Sequence, residues 1–186
     1  QEQALVLRHH FEAKDQQVLI QLPRGTLGDV IAWFSYVPQF QEQHDCKLTC
    51  AMSALIIPLF KEAYPQIHFI TYEEVKASDY YATYRIGLFF DDSDFKNQPC
   101  DFRLVGLHRT AGYILGVDLA ERAPRIVLKE QARSIQEPYV CIATQSTSQC
   151  KYWNNPHGWS EVIKYLKAKG YRVICIDKQA VHGAGL

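Results

Sequence analysis

Two short polar stretches of the 186-residue sequence combine residue types that can do chemistry. The first is Pro23-Arg24-Gly25-Thr26-Leu27-Gly28-Asp29. Its two glycines let the backbone approach a ligand closely, and the helix expected after them presents free N–H groups that favour an anion. It is neither a GxGxxG fingerprint nor a phosphate-binding GxxxxGK[ST] loop, because Gly28 is followed by Asp. Asp29 reads either as an N-cap favoured by the helix dipole or as a general base at the mouth of a cleft, and the two are compatible. The second stretch is Ser146-Thr147-Ser148-Gln149-Cys150-Lys151-Tyr152-Trp153. Hydroxyls followed by Lys after a strand end can hold a phosphate through hydroxyl and backbone donors plus one mobile cation. The plain alternative is a solvated Ser/Thr loop with a surface lysine.

The elements that must position these loops follow from an alternation of short β-rich runs and amphipathic stretches. Val18 to Leu22 suits a buried parallel strand. Asp29 to about Gln43 predicts a helix, with Val30, Ile31, Phe34 and Val37 at helical spacing and Pro38 set to bend or shorten it. Lys47 to Met52 is a second strand, Ser53 caps a helix through Tyr64, and Ile67 to Thr71 is a third strand. Tyr84 to Phe90 is a fourth strand, about Phe102 to Leu115 a helix with Gly116 near its end, and Ile126 to Leu128 a short strand. Lys129 to Pro138 is polar and aperiodic, as a linker would be. The pattern then restarts: Tyr139 to Thr144 a strand, Trp159 to Lys169 a helix, and Arg172 to Asp177 a strand. This rhythm means a parallel α/β sheet with right-handed crossovers. Ligands bind such sheets at the carboxyl ends of the strands, where both loops fall.

Composition narrows the function classes. With 47% hydrophobic and 22% charged residues the chain can build a core. Twenty basic residues balance twenty acidic ones, which argues against bulk nucleic acid or an anionic membrane as the main partner but leaves room for a local anion site. The longest apolar run, Ala54 to Phe60, is interrupted by Pro58 and falls far short of the roughly 18 residues of a membrane span. The stretch from Gln1 to Lys14 has no apolar segment of a secretory signal. The six cysteines (Cys46, Cys50, Cys100, Cys141, Cys150 and Cys175) form no CxxC pair. Cys50, Cys141 and Cys175 lie in apolar runs that suit buried thiols, so the reading is a reducing, cytoplasmic protein with no metal site.

A strand followed by Arg24-Gly25-Thr26-Leu27-Gly28-Asp29-Val30-Ile31-Ala32 resembles the N-terminal motif of the ADP-heptose heptosyltransferases. The second domain of that family opens with a strand, a Ser/Thr loop and Lys-x-Trp before a Trp-containing helix; this chain has Ser146-Thr147, Lys151-Tyr152-Trp153 and Trp159. The wider wording is similar to one branch, the bacterial autotransporter heptosyltransferases. It rests on Leu22-Pro23 leading into the first motif, on His44-Asp45-Cys46-Lys47-Leu48-Thr49-Cys50, and on Thr144-Gln145-Ser146 through Trp153.

That resemblance implies a GT-B glycosyltransferase of two facing Rossmann-like domains, transferring heptose with inversion from ADP-heptose to Ser hydroxyls of an autotransporter adhesin. It implies Asp29 as catalytic base and Ser146, Thr147 and Lys151 as the donor's phosphate ligands. Gly25, Thr26, Leu27 and Gly28 become ligand contacts, and Arg24 a group that steadies donor phosphate or acceptor. It implies no divalent metal; the branch's iron-binding cysteine finger would lie beyond Leu186, and a homo-oligomer is the assembly it suggests. The expected organisation is an acceptor-side domain over 1–130, a linker over 131–138 and the start of the nucleotide-sugar domain over 139–186, as in a truncated enzyme inactive alone. Two other readings stand beside it: a lipopolysaccharide-core heptosyltransferase, and a non-catalytic nucleotide-binding module.

Other polar residues carry plainer expectations. His9 and His10 read as surface residues. Asp91, Asp92 and Asp94 read as a solvated loop rather than a metal-binding DxD motif. Asp177, at a strand end, lies in the region of a ribose. His157 and Trp159 pack at a helix start, and Tyr80, Tyr81 and Tyr84 pack or line an acceptor groove.

Overall fold

The computed structural model describes residues 10–24, 27–128, 132–146 and 148–177. The chain divides into two compact units, Gln1–Lys129 and Glu130–Leu186. In the first, strands β1 (Gln17–Gln21), β2 (Lys47–Ala51), β3 (His68–Ile70) and β4 (Ala82–Arg85) form a wholly parallel sheet in the order β3-β2-β1-β4. Ile20 lies opposite Cys50 on one side and Tyr84 on the other. After β3 the chain crosses back past β1 to place β4 beyond it, so the strand order reverses at β1.

Alternation along β1 sorts its side chains between two layers. Val18, Ile20 and Leu22 join the main core with Leu48, Cys50 and Met52. Helices α1 (Leu27–Phe34), α2 (Tyr36–His44) and α5 (Arg109–Leu115) cover that face through Val30, Phe34, Val37, Phe40, Ala111 and Leu115. Phe34 is fully buried, stacked on Phe60 with ring centroids 4.0 Å apart and edge-on to Tyr64 at 5.1 Å. Leu19, Ala51 and Ile70 face the other way, against a thinner layer of Tyr72, Val75 and Tyr80. That layer is the β3–β4 crossover, built from two single 3₁₀ turns (Tyr72–Glu74 and Ala77–Asp79).

Several elements are shorter than the hydrophobic pattern predicts. The first helix breaks at Ser35 into α1 and α2, because Pro38 has no N–H to offer the Phe34 carbonyl. Helix α3 spans Ile57–Phe60 only, and the preceding residues form a turn in which the Ser53 carbonyl accepts from Ile56. The predicted 102–115 helix is two, α4 (Phe102–Val105) and α5, split at Gly106, whose φ of 88° no helix interior allows. The fourth strand runs from Ala82 rather than Tyr84 and leaves the sheet after the Ile86 amide bonds Gln21, where β1 itself ends. The Ile126 to Leu128 run is not a strand: Val127 donates to the carbonyl of Leu59 in α3 rather than to a strand. Tyr84 packs edge-on to Phe40 at 5.0 Å, the packing role expected of it.

In the second unit β5 (Tyr139–Ile142) and β6 (Arg172–Cys175) pair in parallel, with α6 (Gly158–Ala168) between them in sequence. Arg172 pairs with Glu137 at 2.7 Å, and Arg133 donates to the carbonyls of Ile135 and Glu137. Cys50 is buried as expected, but Cys141 and Cys175 are exposed. Apolar runs imply burial only where layers cover both faces of a sheet, and the described residues give this two-stranded sheet one helix.

Candidate functional site

The first candidate loop leaves the sheet at the reversal point. The Leu22 amide still bonds the Ala51 carbonyl (3.0 Å), after which Pro23 ends the pairing and Arg24 turns out at the carboxyl edge. In doubly wound sheets a crevice forms at this place, between strands whose connections run to opposite sides. Gly25 and Thr26 lie outside the described residues. Helix α1 begins at Leu27, so Asp29 is not its N-cap but an acidic residue inside the first turn, half-buried, where the dipole still favours its charge. Neither packing nor backbone requires glycine at 28: φ is not left-handed, and a Cβ there would meet no described atom within 4 Å. Gly28→Ala is therefore expected to fold with undiminished thermal stability, since alanine suits a helix better, so a loss of function in it reports a ligand held against the backbone. A thermal unfolding scan checks the first half.

Arg24 is placed by residues the sequence reading did not single out. Its guanidinium donates to Glu73 at 2.8 Å and lies 4.9 Å from the centroid of the Tyr72 ring. Tyr72 and Glu73 follow β3, so the carboxyl-edge rule applied to the third strand as well as the first would have found them. Glu73 titrates below the usual carboxylate range, through hydrogen bonding from its own backbone first, with Thr71 and Arg24 adding. Both partners of the ion pair are mostly exposed, so the pair adds little stability and Arg24 can exchange its carboxylate for another anion. Together with Leu27, Ser53, Leu55 and Ile56 they line an open, mostly apolar cleft of about 850 Å³. Burial pushes the Tyr72 hydroxyl's pKa up. The Cys50 thiol nearby is raised far above its ordinary value by complete burial, which makes it an inert core group.

The second candidate loop leaves β5. Ser146 and Lys151 are exposed, and Thr147 lies outside the described residues. Lys151 sits in a single 3₁₀ turn (Gln149–Lys151), its amide donating to the Ser148 carbonyl at 3.0 Å. The Lys151 side chain makes no ion pair among the described residues, which leaves its charge available to a ligand. Beyond it, Trp153 packs edge-on to Trp159 with centroids 5.3 Å apart and lies across Gly158, where a Cβ would come within 2.5 Å of the indole. Trp159 thus has the packing role expected of it.

At the start of the same loop stands Asp177. One carboxylate oxygen accepts from the Thr144 amide (2.9 Å), the Thr144 hydroxyl (2.7 Å) and the Cys175 thiol (3.1 Å); the other accepts from the Gln145 amide (3.1 Å). These bonds, the Thr144 hydroxyl's first, lower its pKa from 3.8 to about 2. The carboxylate form holds the loop at neutral pH, and that contribution is lost only as pH falls from about 4 towards 2.

The Asp91–Asp94 segment is a self-contained turn. Asp92 accepts from the amides of Lys96, Asn97 and Gln98 at 2.8–3.0 Å, so its oxygens are spent on backbone. Among the described residues no three His, Cys, Asp or Glu side chains are grouped to hold a metal ion, and no helix is long and apolar enough to cross a membrane.

No protein-family model matches the chain. It is 56% identical over 175 residues to the autotransporter heptosyltransferase Aah of Escherichia coli, covering 94% of this chain and 44% of Aah. The crystal structure of the dodecameric iron-containing heptosyltransferase TibC in complex with ADP-D-beta-D-heptose superposes with a TM-score of 0.86 at 54% identity, over 97% of this chain and 47% of TibC. A third relative, 48% identical over 92% of this chain and 41% of its own length, is the inactive autotransporter heptosyltransferase BimC of Burkholderia thailandensis. The chain thus spans less than half the length of the relatives it matches. The described residues do not fit an iron site: no three potential ligands are grouped, and Cys46 and Cys50 are buried.

Proposed function

By sequence the chain belongs with the autotransporter heptosyltransferases, and we propose that it serves heptose transfer from ADP-heptose to Ser hydroxyls of a bacterial autotransporter adhesin, in the cytoplasm and within a homo-oligomer. The observation that carries this reading is the position of Asp29, in the first turn of the helix that follows β1, at the carboxyl edge where the strand order reverses. The first unit is read as the acceptor side and the second as the start of the nucleotide-sugar domain.

The chemistry is an inverting displacement. The acceptor Ser oxygen attacks the anomeric carbon as the bond from that carbon to the phosphate oxygen breaks, and ADP leaves with the bonding pair. Asp29 takes the hydroxyl proton, which an unaided Ser gives up poorly near neutral pH. Lys151, with Ser146 and Thr147, meets the charge that develops on the departing diphosphate. Arg24 can leave Glu73 for donor phosphate or acceptor. No metal enters any of these steps.

Incubating the full-length enzyme with ADP-heptose and either an adhesin fragment or a lipid-core acceptor, followed by mass measurement, tests the reading. A heptose adduct on the adhesin is expected; transfer only to the lipid core would sink the choice of acceptor. Titration calorimetry with ADP tests the phosphate site separately. A hydrogen bond to a charged group contributes about 1.5–3 kcal/mol, so Lys151→Ala is expected to weaken ADP roughly 10- to 100-fold. Unchanged affinity removes Lys151 from the site. The inactive relative BimC favours a second reading, a member that binds nucleotide without transferring sugar. ADP binding without transfer to either acceptor would select it.

A further inference from the structure

The donor loop of the second unit is held at both ends, and its first hold uses a residue outside the proposed ligand set. We propose that Asp177 is a positioning residue: its carboxylate gathers Thr144 and Gln145 and thereby sets the start of the loop that carries Ser146 and Lys151. The inference rests on the donor-site reading of that loop and deepens it.

A carboxylate offers roughly four lone-pair sites. Asp177 meets four donors, two of them backbone amides of consecutive residues and one the hydroxyl of the same Thr144. Three of the four donors belong to the loop, so most of the carboxylate's accepting capacity is spent on holding it. Asp177 follows β6, and Ile176 donates to the Ile142 carbonyl at 2.9 Å, so the strand pair ends just where the clasp begins. The far end of the loop is held independently, by Trp153 on Gly158 and Trp159. Lys151 lies between two fixed points, which lowers the ordering cost of binding an anion.

The test joins amide hydrogen exchange with ADP titration on the full chain, using Asp177→Asn, Thr144→Val and Thr144→Ser. Asp177→Asn is expected to speed exchange at the Thr144 and Gln145 amides while the Ile176 amide of the strand ladder keeps its protection, and to weaken ADP about tenfold. Thr144→Val should move both readouts the same way, and Thr144→Ser, which keeps the hydroxyl, should restore them. Lost affinity with Thr144 and Gln145 still protected would make Asp177 a direct ligand contact and overturn the proposal. So would unchanged affinity, or a loss of ladder protection in step with the loop, which marks a purely structural role. A wild-type chain that binds no ADP overturns the donor-site reading and with it this one; the exchange data, which need no ligand, tell that failure from an absent clasp.

Discussion

Replacing Asp29 with Asn is expected to lower heptose transfer roughly 10²- to 10⁴-fold, the range a positioned general base contributes. Asn is nearly isosteric and tolerated in a first helical turn, so the fold and ADP affinity should stay as in the wild type. The reason is local. Asp29 sits half-buried in the first turn of α1, while Val30 and Phe34 of the same helix anchor it to the core. On the proposed reading, losing the carboxylate removes the proton acceptor while the amide keeps the side chain's shape. Mass measurement of the adhesin at several time points gives the rate; a variant that transfers heptose as fast as wild type sinks the assignment of Asp29 as base. A fall in activity accompanied by an equal fall in ADP binding would point to a role in holding the donor.

Phe34→Ala is expected to destabilise the first unit by about 3–5 kcal/mol, the usual cost of removing a fully buried aromatic side chain. That is a large share of the roughly 5–15 kcal/mol that stabilises an ordinary domain. Phe34 is wholly shielded from water, stacks on Phe60 and meets Tyr64 and Phe69, so the cavity would open between α1, α3 and the sheet. Urea unfolding should show the midpoint falling sharply, with Phe34→Leu falling less. A loss below about 1 kcal/mol would mean that the aromatic cluster repacks. Because α1 also carries Asp29, Phe34→Ala is expected to reduce transfer as well, through a loosened helix.

The pattern of apolar residues was sufficient for the class of fold. Val18 to Leu22, Lys47 to Met52 and Ile67 to Thr71 each read as strands, and each is one to within two residues. Pro38 shortens the first helix, as its missing N–H led one to expect, whereas Gly106 splits the 102–115 helix without a signal that periodicity could read. The 126–128 run shows a different limit. Its residues suit a strand, yet a strand needs an edge to pair with, and the chain delivers this run to α3 instead.

At the site, residue types were legible and their partners were not. Gly28-Asp29 after a strand, and a Ser/Thr–Lys–Trp loop after another, could be read directly because strand-end chemistry is local in sequence. Arg24's hold on Glu73 spans 49 positions, and Asp177's hold on Thr144 spans 33. No local signal announces such pairs.

A parallel α/β chain with two polar loops at strand ends was legible in the residues alone, since periodicity and turn chemistry act over a few residues. Tertiary structure was needed to show that the strand order reverses at β1, at whose carboxyl end the helix carrying Asp29 begins. It also showed Asp177, read as a strand-end acid in the region of a ribose, accepting from Thr144 and Gln145 of the second loop. Both depend on which strands lie side by side, and that choice is made by burial summed over the whole core.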